Sequence, residues 1–239
     1  MTIRSCVIRT SLIAFFVSPC AASLAATLQV APVLVEVPAP GATASLSLKN
    51  EGDKPIDAQI RVFRWSQVDG MEKLVPADEV VASPPMVSIQ PKANYSVRIV
   101  RLIKTPVTAE ESYRLAIDEL PAGKGDRAAT VNLVLRYSIP VFFTAAGAAP
   151  AKVTWSLQKR DGKTFLTAKN EGDRRIRLSK LKLQDTSGGT ASFGEGLAGY
   201  VLGHSTISWV VPNSSRNFGA GGLSSISALA DSGPINVKP

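Results

Sequence analysis

Short segments in which apolar and polar residues alternate occupy most of this chain, separated by breaks that contain Pro or Gly. A period of two residues predicts β-strands with one buried face, and no stretch has sustained helical periodicity. Seven such segments precede residue 144, at residues 28–37, 43–48, 56–63, 86–89, 95–102, 113–120 and 131–143. Seven is the strand count of an immunoglobulin-like sandwich, so we expect an all-β domain of this type.

A second group of strand-like segments follows a featureless stretch, TAAGAAPAK, at residues 144–152. The group comprises residues 153–157, 164–169, 177–183, 191–193 and 206–210, with Gly-rich connections. Small residues without periodicity are typical of a linker. We therefore predict two β-sandwich domains, at residues 26–145 and 146–239.

The pentapeptide Lys-Asn-Glu-Gly-Asp occurs twice, at residues 49–53 and 169–173. Each copy is followed by a basic residue and, two positions further on, by an isoleucine. Gly accepts positive φ and Asn tolerates it, so each copy has the chemistry of a tight reversal. The repeat predicts the same hairpin in both domains. Convergence on a common turn sequence is the alternative interpretation, and it also yields two β domains.

The first 25 residues have the features of a secretory signal peptide. Arg4 and Arg9 precede an apolar run at residues 11–17, and residues 23–25 supply the small side chains of a cleavage site. The run is far shorter than the ~20 residues that span a bilayer, so we expect no stable membrane insertion. Both cysteines of the chain lie in this segment, so the mature protein is expected to be exported without a disulfide.

Composition and motifs argue against several classes of function. The formal net charge is +8, but the basic residues are scattered without interleaved aromatic residues, so no nucleic-acid partner is expected. His204 is the only histidine, no Gly-x-Ser-x-Gly nucleophile motif occurs, and the glycine clusters GDRAAT and GAGG lack the Gly-Lys-Ser/Thr ending of a phosphate-binding loop. The sequence therefore predicts a protein that is not an enzyme and that holds no metal or cofactor.

Three sequence blocks carry a family resemblance: QPKANYSVRIVRL at residues 90–102, ESYRLAIDELP at 111–121 and NLVLRYSIPVFF at 132–143. With RWSQVDG and SPPMVSIQP upstream, their order and spacing resemble the first domain of PapD-like periplasmic chaperones of the chaperone–usher pilus pathway. The second domain matches weakly, mainly through ALADSGPI. The resemblance implies two immunoglobulin-like domains in a boomerang arrangement, action in the periplasm, and two partners, the pilus (fimbrial) subunits and an outer-membrane usher.

The resemblance also implies how such a protein binds. In this family the last strand of the first domain completes a pilus subunit that lacks its own final strand, which is a form of strand addition. The donor strand here carries Val131, Leu133 and Leu135, which share one face because side chains alternate along a strand. The alternative interpretation is that these side chains fill the core of the protein's own first domain.

The sequence departs from the best-known members of the family at the anchor for the subunit. Those members bind the subunit's C-terminal carboxylate with an arginine in the first strand and a lysine in the donor strand. Alignment places Leu34 near the first position and Pro140 at the second, and neither side chain can supply charge. Together with the RWSQVDG block, this departure resembles the archaic branch of the family.

Two arginines on neighbouring predicted strands are substitute anchors. Arg114 lies in YRLAIDELP and Arg136 in LVLRYSIP. A guanidinium can bind a carboxylate through two parallel hydrogen bonds. We predict Arg114 as the anchor and Arg136 as the second candidate. An internal ion pair with Asp118 or Glu119, or simple solvent exposure, is the alternative interpretation for both.

An ion pair between the domains also follows from the resemblance. In the family the arginine of the VRI block, here Arg98, pairs with an acidic residue near the end of the second domain, where LADSGP supplies Asp231. Thr144 aligns with a third, basic partner, so only a pair is expected. Exposed pairs contribute only ~0–1 kcal/mol, and a larger effect requires burial between the domains.

A secreted two-domain adhesin or carbohydrate-binding protein is the alternative function, because a fold alone does not determine function. An adhesive face needs exposed aromatic side chains, whereas Trp65, Trp155 and Trp209 lie within strand patterns and are predicted core residues. The donor strand decides in favour of the chaperone. Since unpaired strand edges recruit partners, the sequence also allows a homodimer in which free chaperone caps its own donor strand.

Overall fold

The computed structural model describes residues 27–121, 134–212, 218 and 222–238. These residues form eighteen β-strands and no helix, in agreement with the alternating sequence pattern. The predicted signal peptide, residues 1–25, lies outside the described residues. No described segment is a helix long and apolar enough to cross a membrane. The strands fall into two successive groups, and each group builds two sheets around an apolar core of its own.

The first group contains ten strands. In chain order they are β1 (Leu28–Ala31), β2 (Val35–Pro38), β3 (Thr43–Asn50), β4 (Ile56–Val68), β5 (Met71–Pro76), β6 (Val80–Ser83), β7 (Met86–Ile89), β8 (Asn94–Arg101), β9 (Glu110–Glu119) and β10 (Arg136–Thr144). One sheet has the order β1-β3-β8-β6, and the other has the order β2-β10-β9-β4-β5 with β7 beside β4. Both sheets contribute to one core, which includes Leu46, Leu48, Val97 and Ile99 from the first sheet and Ile60, Leu115, Ile117 and Val141 from the second.

The chain changes sheets near its beginning. The sequence predicts one strand over residues 28–37, but the structure divides this segment between β1, antiparallel to β3, and β2, parallel to β10. Pro32 lies between the two strands and has no N–H to donate to a ladder, which explains the interruption. β2 pairs only with the last four residues of β10, from Val141 to Thr144, and this limit shapes the candidate site.

The second group contains eight strands. They are β11 (Val153–Arg160), β12 (Lys163–Asn170), β13 (Ile176–Asp185), β14 (Thr190–Ser192), β15 (Leu197–Val201), β16 (Ser205–Val210), β17 (Leu223–Ala230) and β18 (Gly233–Val237). One sheet has the order β11-β12-β16, and the other has the order β14-β13-β17-β18 with β15 beside β13. The core between them includes Leu166, Ala168, Leu178, Leu183, Ile207 and Ile226.

The repeated pentapeptide connects the two sheets of each domain, so the predicted hairpin is wrong. In the first domain the motif leads from β3, which pairs with β1 and β8, to β4, which pairs with β5, β7 and β9. In the second domain it leads from β12 to β13, which also lie in different sheets. The local turn chemistry is as expected, but the strands on either side of it find their hydrogen-bond partners in opposite sheets.

A buried asparagine explains why the first copy of the motif is needed. The side-chain oxygen of Asn50 accepts a hydrogen bond from the N–H of Gly52 at 2.8 Å. Its Nδ2 donates to the carbonyl oxygens of Lys54 at 2.8 Å and Ile89 at 3.0 Å. Asn50 is fully buried, and its amide satisfies backbone groups that an inter-sheet connection leaves without ladder partners.

The second copy repeats these bonds in the second domain. Asn170 Oδ1 accepts from the N–H of Gly172 at 3.0 Å, and Nδ2 donates to the carbonyl oxygens of Arg174 at 2.8 Å and Val201 at 3.3 Å. A Cβ at Gly172 would lie 2.0 Å from the carbonyl oxygen of Pro150, so only glycine fits there. The sequence repeat therefore encodes one structural device used twice.

We expect Asn50→Ala and Asn170→Ala to lower the free energy of unfolding by at least about 1–3 kcal/mol each, because each change leaves buried backbone groups unpaired. Urea unfolding monitored by circular dichroism measures the change. Asn236→Ala is the matched control, since Asn236 is exposed on β18. Losses no larger than that of the control would show that the buried amides do not support the connections.

Candidate functional site

β10 has one free edge. It pairs antiparallel with β9 along its whole length, from Arg136 to Thr144, whereas β2 covers only its second half. Among the described residues, no strand pairs with the outer edge of residues 136–140. An unpaired edge presents backbone groups that can hydrogen-bond to an added strand. The first half of β10 is therefore a place where another chain can extend this sheet.

Leu135 is the one predicted donor residue that can be located, since Val131 and Leu133 lie outside the described residues. It is half-buried, and its carbonyl oxygen accepts a hydrogen bond from a backbone N–H of β9 at 3.0 Å. Alternation puts it on the same face as Tyr137 and Ile139, which belong to or pack against the first core. Leu135 therefore extends the core-facing row of β10 by one step.

Arg114 lies on β9, opposite Pro140 of β10. Its guanidinium carbon is 3.7 Å from the ring centroid of Trp65 and 5.5 Å from that of Tyr200. No carboxylate of the described residues forms an ion pair with it. Burial lowers the pKa of this guanidinium, and the nearby Glu72 partly offsets the effect. Arg114 is therefore a half-buried cation whose donors can receive a carboxylate.

Arg136, the second anchor candidate, is already paired. It lies opposite Asp118 of β9 and forms an ion pair with it. Arg61 binds the other carboxylate oxygen of Asp118 at 2.6 Å. Burial raises the pKa of Asp118, but hydrogen bonds from Arg136 and Arg61 outweigh burial and hold that pKa below its usual value. The structure thus gives Arg136 the internal ion pair that was the alternative interpretation of its role.

Arg98 and Asp231 do not form an ion pair with each other or with any other described residue. Arg98 is exposed on β8, in the sheet that also contains β1 and β3, whereas the second domain contacts β4 and β5 of the other sheet. Asp231 is exposed between β17 and β18 and lines a cleft between the domains with Glu36 and Arg175. The ionic connection between the domains is made by other residues.

Arg175 makes that connection. Its Nη1 donates to Glu110 Oε2 at 2.6 Å, its backbone N–H donates to Glu110 Oε1 at 2.8 Å, and its Nη2 pairs with Glu36. The ring centroid of Phe142 lies 3.6 Å from the guanidinium carbon. The side chains of Arg175 and Glu110 are 4% and 0% exposed. Removal of Arg175 would leave Glu110 as a buried charge without a cationic partner, which is strongly destabilising.

One difference between the two motif copies signals this role. The second copy continues with Arg174-Arg175, where the first has Lys54-Pro55. A cation that breaks an otherwise close repeat is a candidate for a contact specific to its own domain. Its partners come from β2 and β9, which are far apart in sequence, so spacing alone could not have paired them.

An apolar cluster fills the junction between the domains. It consists of Trp65 and Phe142 from the first domain and Tyr200 and Leu202 from the second, with Leu34 packed against it. The rings of Trp65 and Tyr200 meet edge to face, with centroids 5.3 Å apart and an interplanar angle of 82°. Large aromatic side chains dominate the energetics of such contacts. The junction is therefore a small hydrophobic core shared by both domains.

Hydrogen bonds to backbone groups also cross the junction between the domains. Gln67 Nε2 donates to the carbonyl oxygen of Tyr200 at 2.7 Å, and the N–H of Leu202 donates to Gln67 Oε1 at 3.0 Å. At the β4–β5 turn, the N–H of Ser208 donates to the carbonyl oxygen of Gly70 at 2.9 Å. Gly70 has a φ of 77°, and a Cβ there would lie 2.9 Å from Ser208 Oγ. Glycine permits this close approach of the two domains.

His204 has a structural partner. Its Nε2 lies 2.7 Å from Asp173 Oδ1, and Asp173 Oδ2 accepts a hydrogen bond from the N–H of Ala149 at 2.8 Å. The bond from Ala149, followed by the contact with His204, lowers the pKa of Asp173. These contacts tie the second motif copy to the segment between the domains. Within the part of the chain that the structure describes, no group of three His, Cys, Asp or Glu residues could hold a metal ion.

Comparison with known proteins identifies the family. Residues 27–149, more than half of the chain, match the family described as pili and flagellar-assembly chaperone, PapD N-terminal domain. This protein belongs to that family. The matched region contains β1–β10, and with them the free edge and Arg114. The family is one of chaperones rather than of enzymes. No curated protein sequence matches the chain significantly.

Solved structures share the two-domain fold. A chain of the CsuC–CsuE chaperone–tip adhesion subunit pre-assembly complex, from the archaic Csu pili of Acinetobacter baumannii, is 28% identical with a TM-score of 0.71, and the match covers 88% of this chain and 98% of that chain. A chain of the Salmonella enterica SafA pilin–SafB chaperone complex is 18% identical with a TM-score of 0.61, covering 89% and 96%. The E. coli chaperone DraB is 19% identical with a TM-score of 0.57, covering 89% and 98%. The predicted family and the predicted fold of two β-sandwich domains are confirmed.

We expect Arg175→Ala to loosen the junction, because Glu110 would remain buried without its partner at a cost of roughly 3–5 kcal/mol. Urea unfolding should show a lower free energy of unfolding, and small-angle X-ray scattering should show a larger radius of gyration. Arg174→Ala is the matched control, since Arg174 is exposed and forms no ion pair with described residues. An equal effect of Arg98→Ala would instead indicate that the pair expected from sequence holds the domains in solution.

Proposed function

We propose that this protein is a periplasmic chaperone of a chaperone–usher pilus system, which binds pilus subunits by donating the edge of β10 and delivers them to an outer-membrane usher. The observation that carries the proposal is the free edge of residues 136–140 beside the unpaired Arg114. Family membership supplies the chaperone activity. The free edge supplies the mode of binding.

Structures of relatives support pilus subunits as the partner. The CsuC chaperone is seen in complex with a tip adhesion subunit, and the SafB chaperone is seen with a pilin. CsuC is the more informative relative because it is 28% identical and comes from an archaic chaperone–usher system. An archaic system also agrees with the absence of charge at the two usual anchor positions, Leu34 and Pro140.

A subunit that lacks its final strand has an apolar groove, and we assign the donor strand to that groove. Strand addition would supply backbone hydrogen bonds, while alternate side chains would enter pockets of the subunit. Val131, Leu133 and Leu135 are the assigned side chains, and each would contribute very roughly 1.5–3 kcal/mol if fully buried. Leu135 is half-buried rather than fully buried, so part of its side chain is available to a partner, which supports this assignment.

Arg114 is the proposed anchor for the subunit's terminal carboxylate. Arg114 is opposite Pro140 of β10, and a strand added at the free edge would lie two strand spacings, about 10 Å, from β9, so the subunit's C-terminus must extend across β10 to meet this guanidinium. No described carboxylate forms an ion pair with it, in contrast to Arg136, which Asp118 already binds. Partial burial also strengthens the attraction between a guanidinium and an incoming carboxylate.

Location, usher binding and self-association are further parts of the proposal. The composition of residues 1–25 supports export to the periplasm. The usher is assigned as the second protein partner by family resemblance. The free edge of β10 also suits a homodimer in which two chaperones cap one another until a subunit displaces the contact.

An adhesive or carbohydrate-binding function has less support. Trp65 is 2% exposed, and Trp155 and Trp209 pack against the core of the second domain. Trp65 is therefore buried and the other two tryptophans are partly buried against a core, which is not the exposed aromatic face that a sugar-binding site needs.

Donor-strand binding predicts that Leu133→Asp prevents capture of the subunit, because an unpaired carboxylate in an apolar groove costs several kcal/mol or must be protonated. The measurement is the amount of subunit that co-purifies with tagged chaperone from the periplasm. Val134→Asp is the matched control, since Val134 is 48% exposed and lies on the other face by alternation. Unchanged recovery of subunit with folded Leu133→Asp would exclude Leu133 from the groove.

The anchor assignment predicts that Arg114→Ala leaves the chaperone folded but weakens the binding free energy of the subunit by on the order of 3–5 kcal/mol. The reason is that the subunit's carboxylate would enter a buried position without its partner. Arg114→Lys should restore binding only partly, because an ammonium lacks the forked contact. Arg136→Ala should have the smaller effect. Co-purification measures both alanine variants. A larger loss of bound subunit in Arg136→Ala than in Arg114→Ala would show that the anchor is Arg136 of β10.

A further inference from the structure

Arg114 rests on an aromatic ring instead of a carboxylate. Phe63 of β4 is its cross-strand partner, so Trp65, two residues further along β4, is the diagonal neighbour on the same face. The guanidinium carbon lies 3.7 Å from the Trp65 ring centroid. This is well inside the limit of about 6 Å for a cation–π contact. A long side chain with many rotamers is thereby held above one ring.

Trp65 carries a structural cost that Phe would not. Its side chain is 2% exposed, and its Nε1–H is buried with no hydrogen-bond partner among the described residues. An unpaired buried donor is destabilising. Among aromatic side chains, however, the indole ring is the best partner for a cation. A tryptophan at this position is therefore explained if its ring serves Arg114.

The second domain completes the support for Arg114. Tyr200 of β15 meets Trp65 edge to face, with ring centroids 5.3 Å apart, and its own ring centroid lies 5.5 Å from the Arg114 guanidinium. Gln67 fixes the backbone of Tyr200 through a hydrogen bond of 2.7 Å. A residue of the second domain therefore helps to set the position of an arginine in the first.

We propose that Trp65 and Tyr200 are positioning residues of the carboxylate anchor, so that the second domain takes part in subunit recognition through Arg114. The inference rests on the proposed role of Arg114 in binding the subunit's terminal carboxylate. A guanidinium that is already held in place loses less conformational freedom on binding, which raises affinity. Correct placement of Tyr200 beside Trp65 is then a condition for tight capture of the carboxylate.

The same junction supplies a matched control. Phe142 belongs to the same apolar cluster as Trp65, with ring centroids 5.9 Å apart, but it lies 3.6 Å from the guanidinium carbon of Arg175. Arg175 is already paired with Glu110. Phe142→Leu therefore removes an aromatic ring from the same junction while keeping Trp65, the ring beneath Arg114.

The test separates recognition of the carboxylate from binding of the strand. The probe is a synthetic peptide of the last strand of the subunit that co-purifies with the tagged chaperone, made with either a free C-terminal carboxylate or a C-terminal amide. Isothermal titration calorimetry gives the affinity of both peptides for the wild type and for Arg114→Ala, Trp65→Leu, Trp65→Phe, Tyr200→Leu and Phe142→Leu. The carboxylate preference is the ratio of the two association constants.

We expect the wild type to prefer the carboxylate peptide by about a hundredfold or more, and we expect Arg114→Ala to abolish this preference. Trp65→Leu and Tyr200→Leu should each lower the carboxylate preference by up to about fivefold, which is the size of one cation–π contact. The preference of Trp65→Phe should lie between that of the wild type and that of Trp65→Leu. Phe142→Leu should keep the wild-type preference. The affinity of the amide peptide should stay close to the wild-type value in every folded variant, because the strand contacts are unchanged.

The inference would be overturned if Trp65→Phe and Tyr200→Leu kept the wild-type preference while Arg114→Ala lost it. That result would leave the proposed anchor intact. An equal loss in Phe142→Leu would also overturn it, because the effect would then belong to the junction as a whole. Equal affinity of the wild type for both peptides would refute the anchor itself. If Trp65→Leu fails to fold, Tyr200→Leu and Trp65→Phe decide the question.

Discussion

The buried ion pair between Arg175 and Glu110 joins the two sandwiches, and the geometry of the candidate site depends on it. Charges removed from water are tolerated only when they are paired and hydrogen-bonded, so this pair favours the one docking position in which Glu110 is satisfied. In that position Tyr200 reaches the ring of Trp65, and Gln67 reaches the backbone beside it. The orientation of the domains therefore determines the surroundings of the proposed anchor.

The free edge of β10 arises from the early change of sheet by the chain. Pro32 separates β1 from β2, and β2 covers only the half of β10 from Val141 to Thr144. Exposed strand edges carry a risk of unwanted association, and many proteins cover or interrupt them. A protein that keeps such an edge open beside an unpaired arginine has the parts that strand addition to a partner requires.

The fold was predictable because alternation and turn chemistry are local properties of the sequence, and the family was predictable from three blocks of residues. The partners of each strand were not, which is why the repeated motif gave the correct turn but the wrong hairpin. Long-range charge pairing was equally hidden: Arg175 finds acids on β2 and β9, while Arg98 finds none among the described residues. The proposed anchor is Arg114 rather than Arg136 because Asp118 already pairs with Arg136.

The junction also contains buried polar groups that lack a hydrogen-bond partner among the described residues. Asn50 and Asn170 each bind three backbone groups. By contrast, the two buried side-chain nitrogens without a partner among the described residues, Trp65 Nε1 and Arg175 Nε, both lie at the junction. Local departures from otherwise consistent design are expected at functional sites. Folding alone gives no reason to combine a buried indole N–H with an unpaired Arg114. Binding of a carboxylate gives one, because the incoming charge would pair the guanidinium that the indole ring holds in place.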